Sequence, residues 1–155
     1  MNLFAAAHLG RPPARAPSPR NAVWVVEDEP SAAELAADLC QGCGADPSVF
    51  RSALPFLRAF REVEPPSAVV LDWRLEHELS AALFMATRHR FPQLPVIYWT
   101  GSEATSLPAM IRDDPLTIIV DKAGGATAFE DGLHWALAQQ PSLRETDASG
   151  QEANR

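Results

Sequence analysis

Two patterns of apolar residues alternate along the chain: short continuous apolar runs, and segments in which apolar residues recur at helical spacing. Five short, mostly apolar runs with many β-branched residues are typical of buried strands. Between them, apolar residues recur at helical spacing, which indicates helices that bury one face. The predicted strands cover residues 23–26, 47–50, 68–71, 96–99 and 117–120. The predicted helices cover residues 30–41, 54–63, 79–89, a short stretch within 103–112, and 127–139.

This alternation predicts an α/β protein with a (βα)5 order of elements. Strands that are apolar throughout are buried on both faces, which is typical of a parallel sheet covered by helices. We therefore expect a doubly wound, five-stranded parallel sheet. In the second helix, Leu54, Leu57 and Phe60 should face the core, and Pro108 should interrupt or shift the fourth helix. Functional groups in such folds lie at the carboxyl ends of the strands.

The two ends of the chain differ from this pattern. Residues 1–20 include a proline- and arginine-rich stretch without periodicity, and residues 141–155 are mostly polar. We expect a disordered basic arm over 1–20, one domain over 21–140 and a flexible tail, with no output domain following. No apolar run approaches the roughly 18 residues of a membrane span, and no signal peptide is visible. A cytoplasmic location is therefore expected.

The charge and the cysteines argue against nucleic-acid binding and against a redox or zinc role. The formal net charge is −7. Such an acidic chain argues against binding to a nucleic-acid backbone, and it fits a protein that holds a cation or meets a basic partner. Cys40 and Cys43 have C-x-x-C spacing, but they fall at the end of a predicted helix, with no cysteine or histidine nearby. We expect one buried thiol and one near a loop, without a redox or zinc role.

Polar residues with complementary chemistry follow four of the predicted strands. Clustered carboxylates require a cation, and a set of oxygen ligands suits Mg²⁺. A carboxylate beside Mg²⁺ can act as a nucleophile toward a phosphoryl group, whose oxygens a lysine and a hydroxyl can stabilise. Lys122 is the only lysine in the chain, which indicates that a compact point charge is needed there. The strand-end residues are Glu27, Asp28, Glu29, Asp72, Thr100, Asp121 and Lys122.

Four segments around these residues resemble the motifs of bacterial response-regulator receiver domains. They read VWVVEDE from Val23, VVLDW from Val69, VIYWTG from Val96 and IIVDK from Ile118. Each segment alone is weak evidence for this family, but the four segments in this order are a specific signature of it. The resemblance covers residues 21–140. It implies a flavodoxin-like receiver fold.

The resemblance also implies a role for each motif residue. Asp72 is implied to be the phosphoacceptor, while Thr100 and Lys122 are implied to bind the phosphoryl group and drive the conformational switch. Mg²⁺ is implied as the cofactor. The implied metal ligands are Asp28 as the main one, Asp72, Glu27 in support, and the backbone carbonyl of Arg74.

Two departures from the family pattern concern that switch. Relatives usually carry proline after the lysine, where this chain has Ala123. The usual aromatic switch residue of the fifth strand falls at Ile119, which has no ring. Tyr98 and Trp99 on the fourth strand are candidates to replace it, although core packing is the commoner role of such residues. We expect the chemistry at Asp72 to be retained and the output surface to be unusual.

Three functions remain open at this point. The first is a single-domain response regulator, not a turnover enzyme, that takes a phosphoryl group from a histidine kinase or histidine phosphotransfer protein. It would signal through a downstream protein target or a phosphoryl relay, and a homodimer remains an option. The second is a pseudo-receiver that binds proteins without phosphorylation. The third is a metal-dependent phosphatase, which typically needs a D-x-D motif after the first strand that Glu27, Asp28 and Glu29 do not provide.

Overall fold

Five parallel strands form the central sheet of this computed structural model, which describes residues 21–75 and 78–139. Within that part of the chain, their order across the sheet is β2–β1–β3–β4–β5. The predicted doubly wound (βα)5 architecture is confirmed, and every strand lies within one residue of its predicted bounds. The strands are β1 (Ala22–Val26), β2 (Asp46–Phe50), β3 (Ala68–Leu71), β4 (Val96–Thr100) and β5 (Thr117–Asp121).

Helices cover both faces of the sheet. The fourth helix is a single turn that begins after Pro108, and a 3-10 turn at Ala104–Ser106 precedes it, so the predicted interruption at Pro108 is confirmed. The helices are α1 (Pro30–Gly42), α2 (Ala53–Glu62), α3 (Ala81–Arg90), α4 (Ala109–Arg112) and α5 (Gly125–Ala138).

Side chains of the strands alternate between two core layers on opposite faces of the sheet. In β1, Trp24 and Val26 belong to the layer covered by α2, α3 and α4. Val23 and Val25 belong to the layer covered by α1 and α5. The strands β1, β3 and β4 are buried along their whole length, so the residues at their carboxyl ends follow segments that are packed on both faces.

The third helix starts later than its predicted beginning at residue 79. Two short strands, Arg74–Leu75 and Glu78–Leu79, pair antiparallel and form a hairpin directly after Asp72. The Ser80 N–H then donates to the carbonyl of Trp73. Because this hairpin uses the backbone of residues 78–79, α3 begins only at Ala81.

The predicted buried face of α2 is confirmed at Phe60, Leu57 is partly buried against the core, and the prediction is wrong at Leu54. Leu54 is 58% exposed, whereas Phe56 and Phe60 are buried and their ring centroids lie 4.5 Å apart. Both phenylalanines pack against Trp24 of β1. Three mutually packed rings bury more apolar surface than leucines on the neighbouring helical face would, so the aromatic face turns inward.

Arg88 joins α3 to the amino-terminal edge of the sheet. Its guanidinium donates to the carbonyls of Pro92 and Leu94 at 3.0 and 2.8 Å, and it forms an ion pair with Asp114 at 2.6 Å. Asp114 also accepts a short hydrogen bond from the hydroxyl of Thr117, the first residue of β5. One side chain thus holds the end of α3 and the start of β5 together.

The predicted terminal arm and tail, together with residue 140, lie outside the described residues. Among the residues that are described, none of the helices combines the length and apolar character needed to cross a membrane.

The two cysteines should differ in reactivity with iodoacetamide. Cys40 is completely buried in the last turn of α1, and burial raises the pKa of its thiol to about 12. Cys43 caps the end of that helix and is partly exposed. We expect native protein to be alkylated at Cys43 alone, because iodoacetamide reacts with an accessible thiolate. Peptide mapping by mass spectrometry measures this, and urea-unfolded protein, alkylated at both residues, is the control. Native alkylation of Cys40 at the rate of Cys43 would contradict this assignment.

Candidate functional site

The predicted strand-end residues converge on the carboxyl edge of the sheet. Glu27 follows β1 and Asp72 follows β3, while Thr100 is the last residue of β4. Thr100 is paired in register with Asp121, the last residue of β5, so Lys122 enters the same edge one residue later. Parallel pairing alone brings these side chains together, because all the strands point toward the same edge.

Lys122 connects two of the carboxylates directly. Its Nζ atom donates to Glu27 Oε2 at 2.8 Å and to Asp72 Oδ2 at 3.0 Å. Glu27 is 1% exposed and Asp72 is 8% exposed, so both carboxylates are largely removed from water. The lysine offsets the repulsion between two acids that are held this close together.

Burial and ion pairing act in opposite directions on this cluster. Burial raises the pKa of Glu27, and the neighbouring Asp72 carboxylate adds to the rise, although the hydrogen bond from Lys122 lowers it in part. For Lys122, burial lowers the pKa, but the hydrogen bonds to Glu27 and Asp72 outweigh burial and leave the pKa raised. The lysine is therefore a firmly protonated cation at neutral pH.

Asp28 completes a group of three carboxylates that could hold a metal ion. One oxygen each from Glu27, Asp28 and Asp72 lies within 4.8 Å of the others. Opposite ligands of an octahedral Mg²⁺ stand roughly 4 Å apart, so small side-chain rotations bring these oxygens into range. The donors are all oxygens, which is the set that Mg²⁺ prefers. The residues present therefore fit this ion.

The loop that carries Asp28 is fixed from two sides. The Glu29 carboxylate accepts hydrogen bonds from the N–H groups of Ser31 and Ala32, which caps α1. From the neighbouring strand end, Arg51 donates to the backbone carbonyl of Asp28 at 2.6 Å. The sequence analysis did not identify Arg51, since its contact depends on β2 lying next to β1.

Thr100 and Lys122 line an open cleft of about 560 Å³ above Asp72. Thr100 is 1% exposed, and its hydroxyl oxygen accepts from the Ser102 N–H at 3.2 Å. A hydroxyl that accepts in this way still has its own hydrogen to donate. The cleft is therefore large enough to admit a phosphoryl group and has donors on its walls. The other lining residues are Arg74, Gly101, Ser102, Glu103 and Ser106.

Comparison with solved structures identifies the fold. A receiver domain of a Francisella response regulator superposes with a TM-score of 0.66 at 15% identity, covering 77% of this chain and 98% of that one. The chain has the receiver fold. A response-regulator receiver domain from Clostridium thermocellum gives a TM-score of 0.67 at 16% identity, with 76% and 94% covered. A sensor protein from Polaromonas gives 0.65 at 23% identity, with 77% and 98% covered. No family model and no curated protein sequence matches the chain.

In this receiver fold, a short hydrogen-bonded turn begins at the lysine, and Ala123 lies within it. The Ala123 N–H donates to Asp121 Oδ1 at 2.8 Å and closes a 3-10 turn over Lys122–Gly124. The turn therefore depends on a backbone N–H at position 123, which proline would lack.

The aromatic residues of β4 have separate roles in this receiver fold. Tyr98 is completely buried, and its hydroxyl lies 3.3 Å from the hydroxyl of Ser80. Its register partner on β5 is Ile119, which is half-buried against the same core layer. Tyr98 is thus a packing residue at this position. Trp99 faces the opposite layer and contacts Lys122, a contact that the sequence analysis did not predict.

Proposed function

We propose that this chain is a phosphorylatable signalling receiver that accepts a phosphoryl group on Asp72. The observation that carries the proposal is the Lys122 bridge between Glu27 and Asp72 beside Asp28, at the mouth of a cleft lined by Thr100. This arrangement supplies a nucleophile, a metal-binding group and two donors for phosphoryl oxygens at one edge of the sheet.

In the proposed reaction, an Asp72 carboxylate oxygen attacks phosphorus while the bond from phosphorus to the donor breaks. With a phosphohistidine donor, the leaving group is the histidine nitrogen. Lys122 already lies 3.0 Å from Asp72 Oδ2, so its ammonium needs only a small shift to meet a phosphoryl oxygen. The Thr100 hydroxyl can donate to another of these oxygens. When bound, Mg²⁺ neutralises charge on the transferred group.

Mg²⁺ would be held by Asp28 and Asp72, with Glu27 and the Arg74 backbone carbonyl in support. We propose a histidine kinase or a histidine phosphotransfer protein as the phosphoryl source. The phosphorylated chain would act through a downstream protein target or pass the group on, in the cytoplasm. It would catalyse only its own phosphorylation and dephosphorylation and would not turn over a separate substrate.

Incubation with acetyl phosphate and Mg²⁺, followed by intact-mass spectrometry, tests the proposal. One phosphoryl adduct per chain that decays slowly is the expected result. Failure to form an adduct under conditions that phosphorylate a control receiver would contradict it and favour a phosphorylation-independent binding module. Steady release of many equivalents of phosphate would instead indicate a phosphatase.

Mg²⁺ should stabilise the protein through Asp28. At a Mg²⁺ concentration tenfold above Kd, we expect a gain of about 1.4 kcal/mol in the free energy of unfolding. Replacing Asp28 with alanine should remove most of this gain, since its carboxylate completes the oxygen cluster. Thermal unfolding with and without Mg²⁺ measures the effect. Asp38→Ala, which removes an exposed carboxylate from α1, is the matched control. An equal response of both variants to Mg²⁺ would place the metal elsewhere.

A further inference from the structure

Trp99 lies directly against the ammonium group of Lys122. It is the penultimate residue of β4, is 3% exposed, and belongs to the core layer covered by α1 and α5. The Lys122 Nζ atom lies 5.0 Å from the centroid of its ring. The ammonium is therefore placed between the two carboxylates of the site and an aromatic ring.

This arrangement matches the bonding capacity of an ammonium group. The group has three N–H donors, and two of them meet Glu27 and Asp72. The face of an indole ring attracts a cation within about 6 Å, and tryptophan does so more strongly than phenylalanine or tyrosine. The ring thus adds a third attraction for a side chain whose four-carbon stem is flexible and which is 25% exposed.

Packing alone does not account for a tryptophan at this position. The indole Nε1 is buried, and among the described residues it has no hydrogen-bond acceptor. A buried donor without an acceptor destabilises a fold. Phenylalanine or leucine would fill an apolar layer without that penalty. The larger indole face attracts the Lys122 ammonium more strongly than phenylalanine would, and leucine would not attract it in this way.

The backbone after Lys122 increases the need for such a restraint. Gly124 ends the short turn, and Gly125, the first residue of α5, has a φ of 73°, which glycine adopts easily. No proline fixes the chain at position 123, where alanine stands. A contact made by the lysine side chain itself restrains the ammonium directly, whatever the conformation of the backbone that follows.

We propose that Trp99 is a positioning residue that confines the Lys122 ammonium between Glu27 and Asp72. Its effect on phosphorylation rests on the function proposed above, whereas the contact with the lysine does not. Without the ring, the ammonium would spend more time in solvent and less time where it meets a phosphoryl group on Asp72.

The single lysine allows a direct test. Protein grown with ¹³C-labelled lysine gives one set of lysine side-chain NMR signals, all from Lys122. We expect the ring current of Trp99 to shift the ε-methylene signals upfield in the wild-type protein. Trp99→Leu should remove the shift, and Trp99→Phe should retain part of it. Trp135→Leu, which removes another tryptophan from the same core layer, should leave the shift unchanged.

Phosphorylation by acetyl phosphate with Mg²⁺ provides the second readout. The expected rate is roughly three- to tenfold lower in Trp99→Leu, as the loss of one cation–π contact implies, and is partly restored in Trp99→Phe. An unchanged lysine signal in Trp99→Leu, or an equal loss of rate in Trp135→Leu, would overturn the proposal. If the wild-type protein forms no adduct, the proposed function fails, and the lysine signals still decide whether Trp99 positions the ammonium.

Discussion

Asparagine at position 72 should abolish phosphorylation of the protein by acetyl phosphate while leaving the fold intact. An amide has nearly the shape of a carboxylate but is a poor nucleophile. Its oxygen can still accept from Lys122, which lies 3.0 Å from Asp72 Oδ2. Removing one of the three clustered negative charges also relieves repulsion near Asp28, so the free energy of unfolding should stay the same or rise slightly.

Intact-mass spectrometry after treatment with acetyl phosphate and Mg²⁺ measures this effect, and circular dichroism checks the fold. The matched control is Asp121→Asn, which changes a carboxylate at the end of β5, on the same sheet edge. Asparagine at 121 can still accept the Ala123 N–H, so this variant should form the adduct. A full adduct on Asp72→Asn protein would show that another residue is the phosphoacceptor.

Replacing Lys122 with methionine should destabilise the metal-free protein by about 2–3 kcal/mol. The variant leaves Glu27 and Asp72 buried close together without their cation, and such unpaired buried charges are costly. We place the effect below the roughly 3–5 kcal/mol typical of a broken buried pair because the lysine is 25% exposed. Mg²⁺ should restore part of the loss, since it offers positive charge to the same carboxylates.

Urea unfolding with and without Mg²⁺ measures both effects. Arg58→Met, which removes an exposed cation from α2, is the control and should change stability little. The Lys122 variant should therefore gain more stability from Mg²⁺ than the wild-type protein does. Equal unfolding midpoints for the Lys122 variant and the wild type without metal would mean that the lysine does not offset this buried charge.

The sheet and the location of the site follow from local pattern. The apolar run at 68–71 predicts a strand buried on both faces, and Ala68–Leu71 is such a strand. Once the strands are parallel, Asp72 and Lys122 must lie at one edge, although 50 residues separate them in sequence. The roles assigned to these residues come from the resemblance of the motifs, and they remain predictions until phosphorylation is measured.

Features that depend on tertiary neighbours were beyond prediction. Helical spacing in α2 allows either Leu54 or Phe56 to face inward, and the choice is made by Trp24, which lies on a different element. The Arg51 contact requires β2 to lie beside β1. The Trp99 contact requires β5 to lie beside β4 in the register that pairs Thr100 with Asp121. None of these distances is encoded in the spacing of residues along a single segment.

The contacts of Arg88 should make the amino-terminal end of the sheet and its neighbouring segments open cooperatively. The last turn of α3, the segment 91–94 and the start of β5 all bond to this guanidinium or to its partner Asp114. Opening any one of them breaks bonds that hold the others, so these segments should exchange their amide hydrogens as a single unit. The loops around the proposed phosphoryl site lie at the opposite edge of the sheet, so they are not part of this unit.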